Sequence, residues 1–242
     1  METNSSYTVR SRRRGLRRGV LAVGLAMAAS IAMAVPAGAS VPNSDYGAGY
    51  FAEPSTGFAS ASATFTVPHI SCTSAQSSEA FGLQVQANDE GTVAIDWSGD
   101  AVVDVQCNDG TPSYSFDVSS GSNNFTEPGV SAGDVVVASM YQTSSVVSAT
   151  VHDLTSHYTW VAQNSPFTGS GVFWSVWTGA YYYGDSGSWA QFTSVPFSKC
   201  QINGDYLTYT SPTRYNYRPG GSVLVKTGAL NSTGDGFKLT WN

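Results

Sequence analysis

Apolar and polar residues alternate in short runs along most of the chain, and turn residues separate the runs. Between residues 146 and 153, for example, valine or alanine fills every second position, and serine, threonine or histidine lies between them. This period of two is typical of β-strands, whose side chains point alternately to opposite faces. No window beyond residue 39 combines a helical period with capping residues. The pattern therefore predicts an all-β protein.

Clusters of Gly, Ser, Asn, Asp and Pro, such as those at 108–112 and 231–236, mark the turns between these runs. Many short strands at regular spacing favour a two-sheet antiparallel sandwich or a barrel. No repeat with a fixed period of about 20–50 residues is visible, which argues against a propeller or a solenoid. The predicted strands are 49–52, 60–67, 80–86, 92–97, 102–106, 113–118, 134–142, 146–153, 158–164, 172–178, 190–197, 206–210, 222–227 and 237–241.

The first 39 residues have the composition of an export signal. Six arginines precede an apolar run from Val20 to Val35, and small residues follow up to Ala39. The run is 16 residues long and ends at Pro36, whereas a membrane-spanning helix needs about 20 residues. The arginine cluster also fits a twin-arginine signal, so the Sec and twin-arginine routes both stay open. We predict cleavage near Ala39, secretion without a stable membrane anchor, and a single mature domain over residues 40–242.

The charge of the mature region argues against one class of partner. Without residues 1–39 the chain keeps 16 acidic and 5 basic residues, a net charge of about −11. An acidic surface repels a phosphate backbone, so nucleic acid is not expected as a partner. The same charge suits a secreted protein that stays soluble, and we expect a monomer.

Three cysteines in an exported chain suggest one disulfide and one unpaired thiol. Cys72 follows the second predicted strand, and Cys107 follows the acidic stretch 100–104. These positions favour a bond between Cys72 and Cys107. Cys200 remains an alternative partner for either of them.

Several segments in order along the chain carry a family resemblance. Residues 48–52, Ala-Gly-Tyr-Phe-Ala, and residues 63–68, Ala-Thr-Phe-Thr-Val-Pro, resemble the opening of the eqolisins, the glutamic peptidases. Gly110-Thr111-Pro112-Ser113-Tyr114 is similar to that family's turn into its next strand. Ser131-Ala132-Gly133-Asp134 resembles its Ser-x-Gly-Asp turn, and residues 236–241 resemble its last strand.

This resemblance implies a fold and a chemistry. The fold is a concanavalin-like β-sandwich of two long antiparallel sheets, with a substrate groove on the concave face of one sheet. In the groove, a Glu carboxylate acts as general base on a water molecule. A neighbouring Gln amide donates a hydrogen bond to the oxyanion that forms. We expect no cofactor and no metal.

By the alignment that the resemblance gives, both catalytic positions are replaced. The family's Gln stands four residues before an Asp in Gln-x-Gly-x-Asp, and the frame that ends at Asp96-Trp97 places Thr92 there. The family's Glu precedes a Trp, and the counterpart before Trp174 is Phe173. A threonine hydroxyl reaches less far than an amide, and a phenyl ring cannot accept a proton. Losing the general base alone costs about 10²–10⁴ in rate.

Acidic, amide and aromatic side chains on the predicted strands are candidates for lining the groove. Two glutamines alternate with apolar residues and therefore share a strand face. An aspartate could act as a substitute base, and tryptophans can stack on sugar rings or peptide side chains. For the glutamines a polar outer face is favoured over a groove role, and core packing is the alternative for the aromatic residues. The candidates are Gln84, Gln86, Asp96, Trp97 and Trp177, with Asp100 and Asp104 near Asp96.

Two other chemistries fit the sequence less well. Gly184-Asp185-Ser186-Gly187 looks like the nucleophile motif of trypsin-like serine peptidases, with His69 and either Asp96 or Asp104 available as partners. The residues that flank Ser186 and His69 do not match that family, and a surface turn is the simpler interpretation. His152 and His157 lie five residues apart without a Cys or Glu cluster at ligand spacing, so no metal site is predicted.

The sequence as a whole predicts a secreted eqolisin-like protein that is catalytically impaired and keeps a peptide- or glycan-binding groove. An acid endopeptidase with a displaced catalytic pair is the first alternative. A carbohydrate-binding sandwich and a serine peptidase that uses Ser186 are the lower ones.

Overall fold

The computed structural model describes residues 40–72, 79–88, 99–120, 123–164, 172–181 and 189–242. Within these residues the chain forms β-strands and two short 3₁₀ helices, and no α-helix. The strands are β1 Asn43–Ser44, β2 Gly47–Ala52, β3 Ser60–Thr66, β4 Ile70–Ser71, β5 Glu79–Asn88, β6 Gly99–Asn108, β7 Thr111–Ser120, β8 Asn123–Pro128, β9 Val135–Gln142, β10 Val147–Asp153, β11 Thr159–Asn164, β12 Ser175–Tyr181, β13 Gln191–Phe192, β14 Ser194–Ile202, β15 Asp205–Tyr206, β16 Thr213–Tyr217, β17 Val225–Thr227 and β18 Phe237–Trp241. The 3₁₀ helices are Leu207–Thr210 and Pro219–Gly221.

The alternating pattern forms strands because one face of each strand enters the core. In β10, Val147, Ala149 and Val151 are fully buried, whereas the residues between them are half-buried. Burial of the apolar face stabilises the strand by about 25 cal/mol for each Å² of apolar surface removed from water. The predicted all-β class is confirmed.

One continuous ladder of hydrogen-bonded strands folds over on itself to make the sandwich. Its order is β11-β10-β9-β3-β14-β18-β17-β16-β2-β12-β5-β6-β7-β8. Strands β9, β10 and β11 pack across the core from β5, β6 and β7. Among the described strands all pairs are antiparallel except β1 with β16. This architecture is the predicted antiparallel two-sheet sandwich.

Some predicted strands differ from the observed ones. The predicted strand 206–210 is mostly the 3₁₀ helix Leu207–Thr210, in which the Thr210 hydroxyl donates to the Leu207 carbonyl at 2.7 Å. Leu207 is the only buried residue of this helix. With one buried position, the apolar pattern of the segment does not distinguish a strand from a helical turn. Strands β8 and β16 were not predicted, and the predicted strand 92–97 lies outside the described residues.

Two glycines allow β2 and β12 to approach closely. Gly49 and Gly179 are direct cross-strand partners, and each has a φ of +155°, which side chains rarely adopt. A Cβ on Gly179 would lie 2.3 Å from the Ala48 carbonyl oxygen and 2.7 Å from the Gly49 Cα. Both atoms belong to the backbone, so no side-chain rotation could make room. Gly49 belongs to the segment that resembles the eqolisin opening, and this close approach explains why a glycine is needed there.

A disulfide joins Cys72, just after β4, to Cys107 in β6, as favoured from the sequence. Their Cα atoms are 5.6 Å apart and 35 residues separate them along the chain. Cys200 is a buried free thiol. The bond ties the β4 segment to the sheet that contains β5, β6 and β7.

Reducing this disulfide, or replacing both of its cysteines by serine, is expected to lower the free energy of unfolding by about 2–4 kcal/mol. The reason is that the open loop regains conformational entropy in the unfolded chain. Guanidinium denaturation with and without reductant measures the loss. In the protein with both Cys72→Ser and Cys107→Ser, reductant should have no further effect. A large further loss there would contradict the prediction, because Cys200 is then the only cysteine and could be disulfide-bonded only to another molecule.

The described residues between Ser40 and Asn242 belong to one compact unit. A search of the described helices for a membrane span, which would have to be long and apolar, finds no candidate.

Candidate functional site

One face of the sheet formed by β12, β5, β6 and β7 turns away from the hydrophobic core and is lined mainly by polar side chains. We call it the polar face. Three rows of cross-strand partners make it up: Trp177, Gln86, Asp100 and Ser119; Gly179, Gln84, Val102 and Asp117; and Tyr181, Gly82, Asp104 and Ser115. The alternate residues of the same strands, among them Leu83, Val103 and Phe116, belong to the core.

The polar face is more deeply buried at β5 than at β6 and β7. Gln84 and Gln86 belong to this polar face, and they are only 0% and 1% exposed. Asp100, Asp104 and Asp117 are partly exposed. The amides therefore lie at the base of this surface, and the carboxylates lie where solvent or a ligand can reach them.

The three carboxylates are close enough to affect each other's ionisation. Burial, and then the charges of Asp117 and Asp100, raise the pKa of Asp104 to about 7. Burial and the charge of Asp100 raise the pKa of Asp117 to about 6. Both groups therefore hold protons in mildly acidic solution, where most surface carboxylates are ionised.

Asp100 interacts with both neighbouring strands. Its Oδ2 accepts a hydrogen bond from Gln86 Nε2 at 3.4 Å, and its Oδ1 accepts one from the Ser119 hydroxyl. These contacts fix the carboxylate between a buried amide and a hydroxyl. The arrangement brings a proton acceptor and an amide donor within hydrogen-bond distance, which are the two group types that the sequence resemblance assigns to peptide hydrolysis.

Trp177 lies beside these groups on β12. It is directly across the strand pair from Gln86, and its ring contacts Tyr181 and Tyr215 at centroid distances of 6.1 and 6.0 Å. The residue is only 6% exposed, and its indole Nε1 has no hydrogen-bond partner among the described residues. A buried donor without a partner costs about 1–3 kcal/mol, so a ligand acceptor at this position would gain a favourable hydrogen bond.

No acidic residue occurs on β12, the strand between β2 and β5. Its sequence is Ser-Val-Trp-Thr-Gly-Ala-Tyr. The side of this strand that belongs to the polar face therefore presents Trp177, Gly179 and Tyr181 to a ligand, without a carboxylate.

Phe173 precedes β12 and is fully buried in the core. Its backbone N–H and C=O pair with those of Phe58, and the two rings lie 5.6 Å apart. Strand alternation predicts that Phe173 and Trp177 share a face, and this prediction is wrong because the Phe58 bridge holds Phe173 outside the regular strand.

The remaining predicted site residues fall in two groups, those outside the described residues and those at the surface. Thr92, Asp96, Trp97 and Ser186 lie outside the described residues, so their roles stay predictions. His69, a partner in the serine-peptidase alternative, is exposed between β3 and β4. In the described part of the chain, no group of three or more His, Cys, Asp or Glu side chains is arranged to hold a metal ion.

Asp117 is a member of the polar face that the sequence interpretation missed. A two-residue turn, Asp109-Gly110, joins β6 to β7, and both turn residues have positive φ values. Asp-Gly between alternating strands is a strong signal for such a hairpin. Its register places Asp117 opposite Val102, diagonal to Asp100 and Asp104. The turn could therefore have revealed the third carboxylate.

The sequence matches a protein-family model over most of its length. The model that describes the peptidase A4 family matches residues 44–235. A comparison with curated proteins gives no match. The matched residues include every strand of the polar face.

Solved structures with a similar fold include three peptidases. Scytalido-glutamic peptidase, bound to a peptide-based transition-state analogue, has a TM-score of 0.65 at 16% identity over 81% of this chain and 98% of that chain. SCP-B, a member of the eqolisin family bound to a tripeptide, has a TM-score of 0.65 at 17% identity over 81% and 98%. Aspergilloglutamic peptidase from Aspergillus niger has a TM-score of 0.51 at 19% identity over 68% and 99%. These likenesses concern the fold.

Proposed function

The chain belongs to the peptidase A4 family, the eqolisins, and from this premise we propose that it is an exported protein that binds extended peptide on its polar face and has lost most of the family's hydrolytic power. The observation that carries the proposal is that β12 has no acidic side chain, although it lies beside the two buried glutamines. Without a general base at that strand, water attack on a bound peptide bond is slow.

Peptide is the ligand class that the groups of the polar face favour. An extended peptide presents alternating N–H and C=O groups, and it needs donors and acceptors along one surface. Trp177 Nε1 supplies a donor, and the partly exposed carboxylates of Asp100, Asp104 and Asp117 supply acceptors. The scytalido-glutamic peptidase and SCP-B structures, similar in fold, both contain peptide ligands. A glycan is the other outcome of a binding test.

Binding of a labelled peptide of about ten residues tests this proposal. Trp177→Phe keeps an aromatic ring and removes the indole N–H, so affinity should fall about five- to tenfold in fluorescence anisotropy. Trp174→Ala is the matched control because Trp174 is 37% exposed and lies outside the polar face. Equal affinities for the native protein and Trp177→Phe, or peptide binding that Trp174→Ala alone weakens, would contradict the proposal.

A second candidate is an acid endopeptidase with a displaced catalytic pair. The observation in its favour is the Gln86 Nε2 contact with Asp100 Oδ2 on neighbouring strands. In this candidate Asp100 takes a proton from water, and Gln86 turns its amide to the oxyanion. A second alignment of the family's Gln-x-Gly-x-Asp pattern places Asp100 at the Gln position and Asp104 at the Asp position, four residues later. In this alignment β6 leads directly into the turn that carries the resemblance.

Export to an oxidising compartment is part of the proposal. The disulfide between Cys72 and Cys107 supports it, because such bonds persist outside the reducing cytosol. The arginine-rich segment 1–39 lies outside the described residues, so cleavage near Ala39 stays a prediction. N-terminal sequencing of the protein recovered from culture medium tests it.

A further inference from the structure

A second candidate site lies away from the carboxylates of the polar face. It is a cavity of about 460 Å³ between the loop that follows β2 and the turn that leads into β16. Small-molecule sites are typically about 300–1,000 Å³. Phe51 in β2 pairs with Thr213 in β16, and the residues after Phe51, 53–56, and before Thr213, 209–211, line this cavity. The carboxylates on β6 and β7 lie on the far side of β12 and β5 in the strand order.

The cavity combines an apolar base with polar walls. Phe58 and Ile202, which are buried, supply the base. Hydroxyl groups from Ser55, Thr56 and Ser211 line the walls, and all three residues are exposed. This mixture of apolar surface with several hydroxyls suits a ligand that is itself apolar on one side and rich in hydroxyls at its edges.

Tyr209 extends the cavity outward as an aromatic surface. It is 73% exposed, and its ring stacks on that of Tyr206 at 6.2 Å with an angle of 12° between the planes. The 3₁₀ helix that carries Tyr209 is anchored by the buried Leu207. An aromatic ring held in place and exposed to solvent offers a face on which a sugar ring can stack.

The charged groups of the cavity restrict the ligand further. Glu53 and Asp205 line it, and none of the described Lys, Arg or His residues does. Carboxylates accept hydrogen bonds from hydroxyl groups and repel phosphate, sulfate and carboxylate groups. A phosphorylated or acidic ligand is therefore disfavoured.

We propose that this cavity binds a neutral pyranose sugar whose apolar ring face lies on Tyr209 and whose hydroxyls bond to Glu53 and Asp205. The apolar base accommodates the C–H groups of the sugar, and the wall hydroxyls exchange hydrogen bonds with its edge. This inference stands independently of peptide binding at the polar face.

Isothermal titration of the purified protein with maltotriose, cellotriose and tri-N-acetylchitotriose tests the inference. At least one of the three should bind with a Kd below about 1 mM. Tyr209→Ala should weaken that binding about five- to tenfold because the stacking surface is lost. Tyr158→Ala is the matched control, since Tyr158 is 64% exposed and contacts Trp160 elsewhere on the surface. It should bind as the native protein does.

Three results would overturn the inference. One is that none of the three sugars binds at about 5 mM. Another is that Tyr209→Ala binds as tightly as the native protein. The last is that spermidine binds and is displaced by salt while the sugars do not bind, which would make the cavity a site for cations.

Discussion

Gly179→Ala is expected to destabilise the protein by about 3 kcal/mol or more. The new Cβ would lie 2.3 Å from the Ala48 carbonyl oxygen, and making room requires β2 and β12 to separate. Overpacking of this kind costs about 1–3 kcal/mol, and the +155° φ adds backbone strain of about 1–3 kcal/mol. Against a typical stability of about 5–15 kcal/mol, this is a large loss. Chemical denaturation measures it.

Gly133→Ala is the matched control for Gly179→Ala. Gly133 also has a positive φ, of +95°, but a Cβ there would meet no atom within 4 Å. The free energy of unfolding of the control should therefore fall only by the cost of placing an alanine at a positive φ. If the two variants lose the same stability, close approach of β2 and β12 is not what requires the glycine.

Asp104→Asn is expected to stabilise the protein at about pH 8, by up to about 4 kcal/mol. Burial and the neighbouring carboxylates raise the pKa of Asp104 from 3.8 to about 7 in the folded protein. The folded protein therefore holds this proton more tightly than the unfolded chain does. The resulting stability is fully present below about pH 4 and is lost as the pH rises through about 7. Asparagine keeps the shape and removes the charge.

Denaturation of both proteins at about pH 4 and pH 8 measures the effect. The native protein and Asp104→Asn should have similar stability at the lower pH and separate at the higher one. Asp109→Asn is the control, because Asp109 is exposed in the turn between β6 and β7. A difference between native protein and Asp104→Asn that is the same at both pH values would show that Asp104 does not titrate in this range.

Sequence patterns predicted the fold well because alternation reports burial on one side of a strand. Strands such as β9 and β10 have one buried face, and their bounds were predicted within a residue. The strand β16 was missed because its residues from Thr213 to Asn216 are polar or tyrosine, and only Tyr217 is fully buried. Its register is set by β2 rather than by a hydrophobic stripe of its own.

The site was harder to predict because it depends on pairing between distant strands. Gln84, Gln86 and Trp177 were predicted as groove candidates, and the structure places them on one face across a single strand pair. Strand alternation places Phe173 on the same face as Trp177, but Phe173 lies in the core. Its backbone bridge to Phe58 is a long-range contact, which no local sequence pattern reveals. The proximity of three carboxylates likewise follows from the register of β6 and β7.

Cleavage of an unfolded protein by the purified chain is the most direct measurement of whether the polar face binds without hydrolysing. The substrate, a reduced and alkylated protein, is incubated with the purified chain between about pH 2 and pH 5, and mass spectrometry counts the new N-termini in the substrate. Binding without new termini above background is the predicted result. New termini above background would contradict it, and their loss with Asp100→Asn would identify Asp100 as the general base.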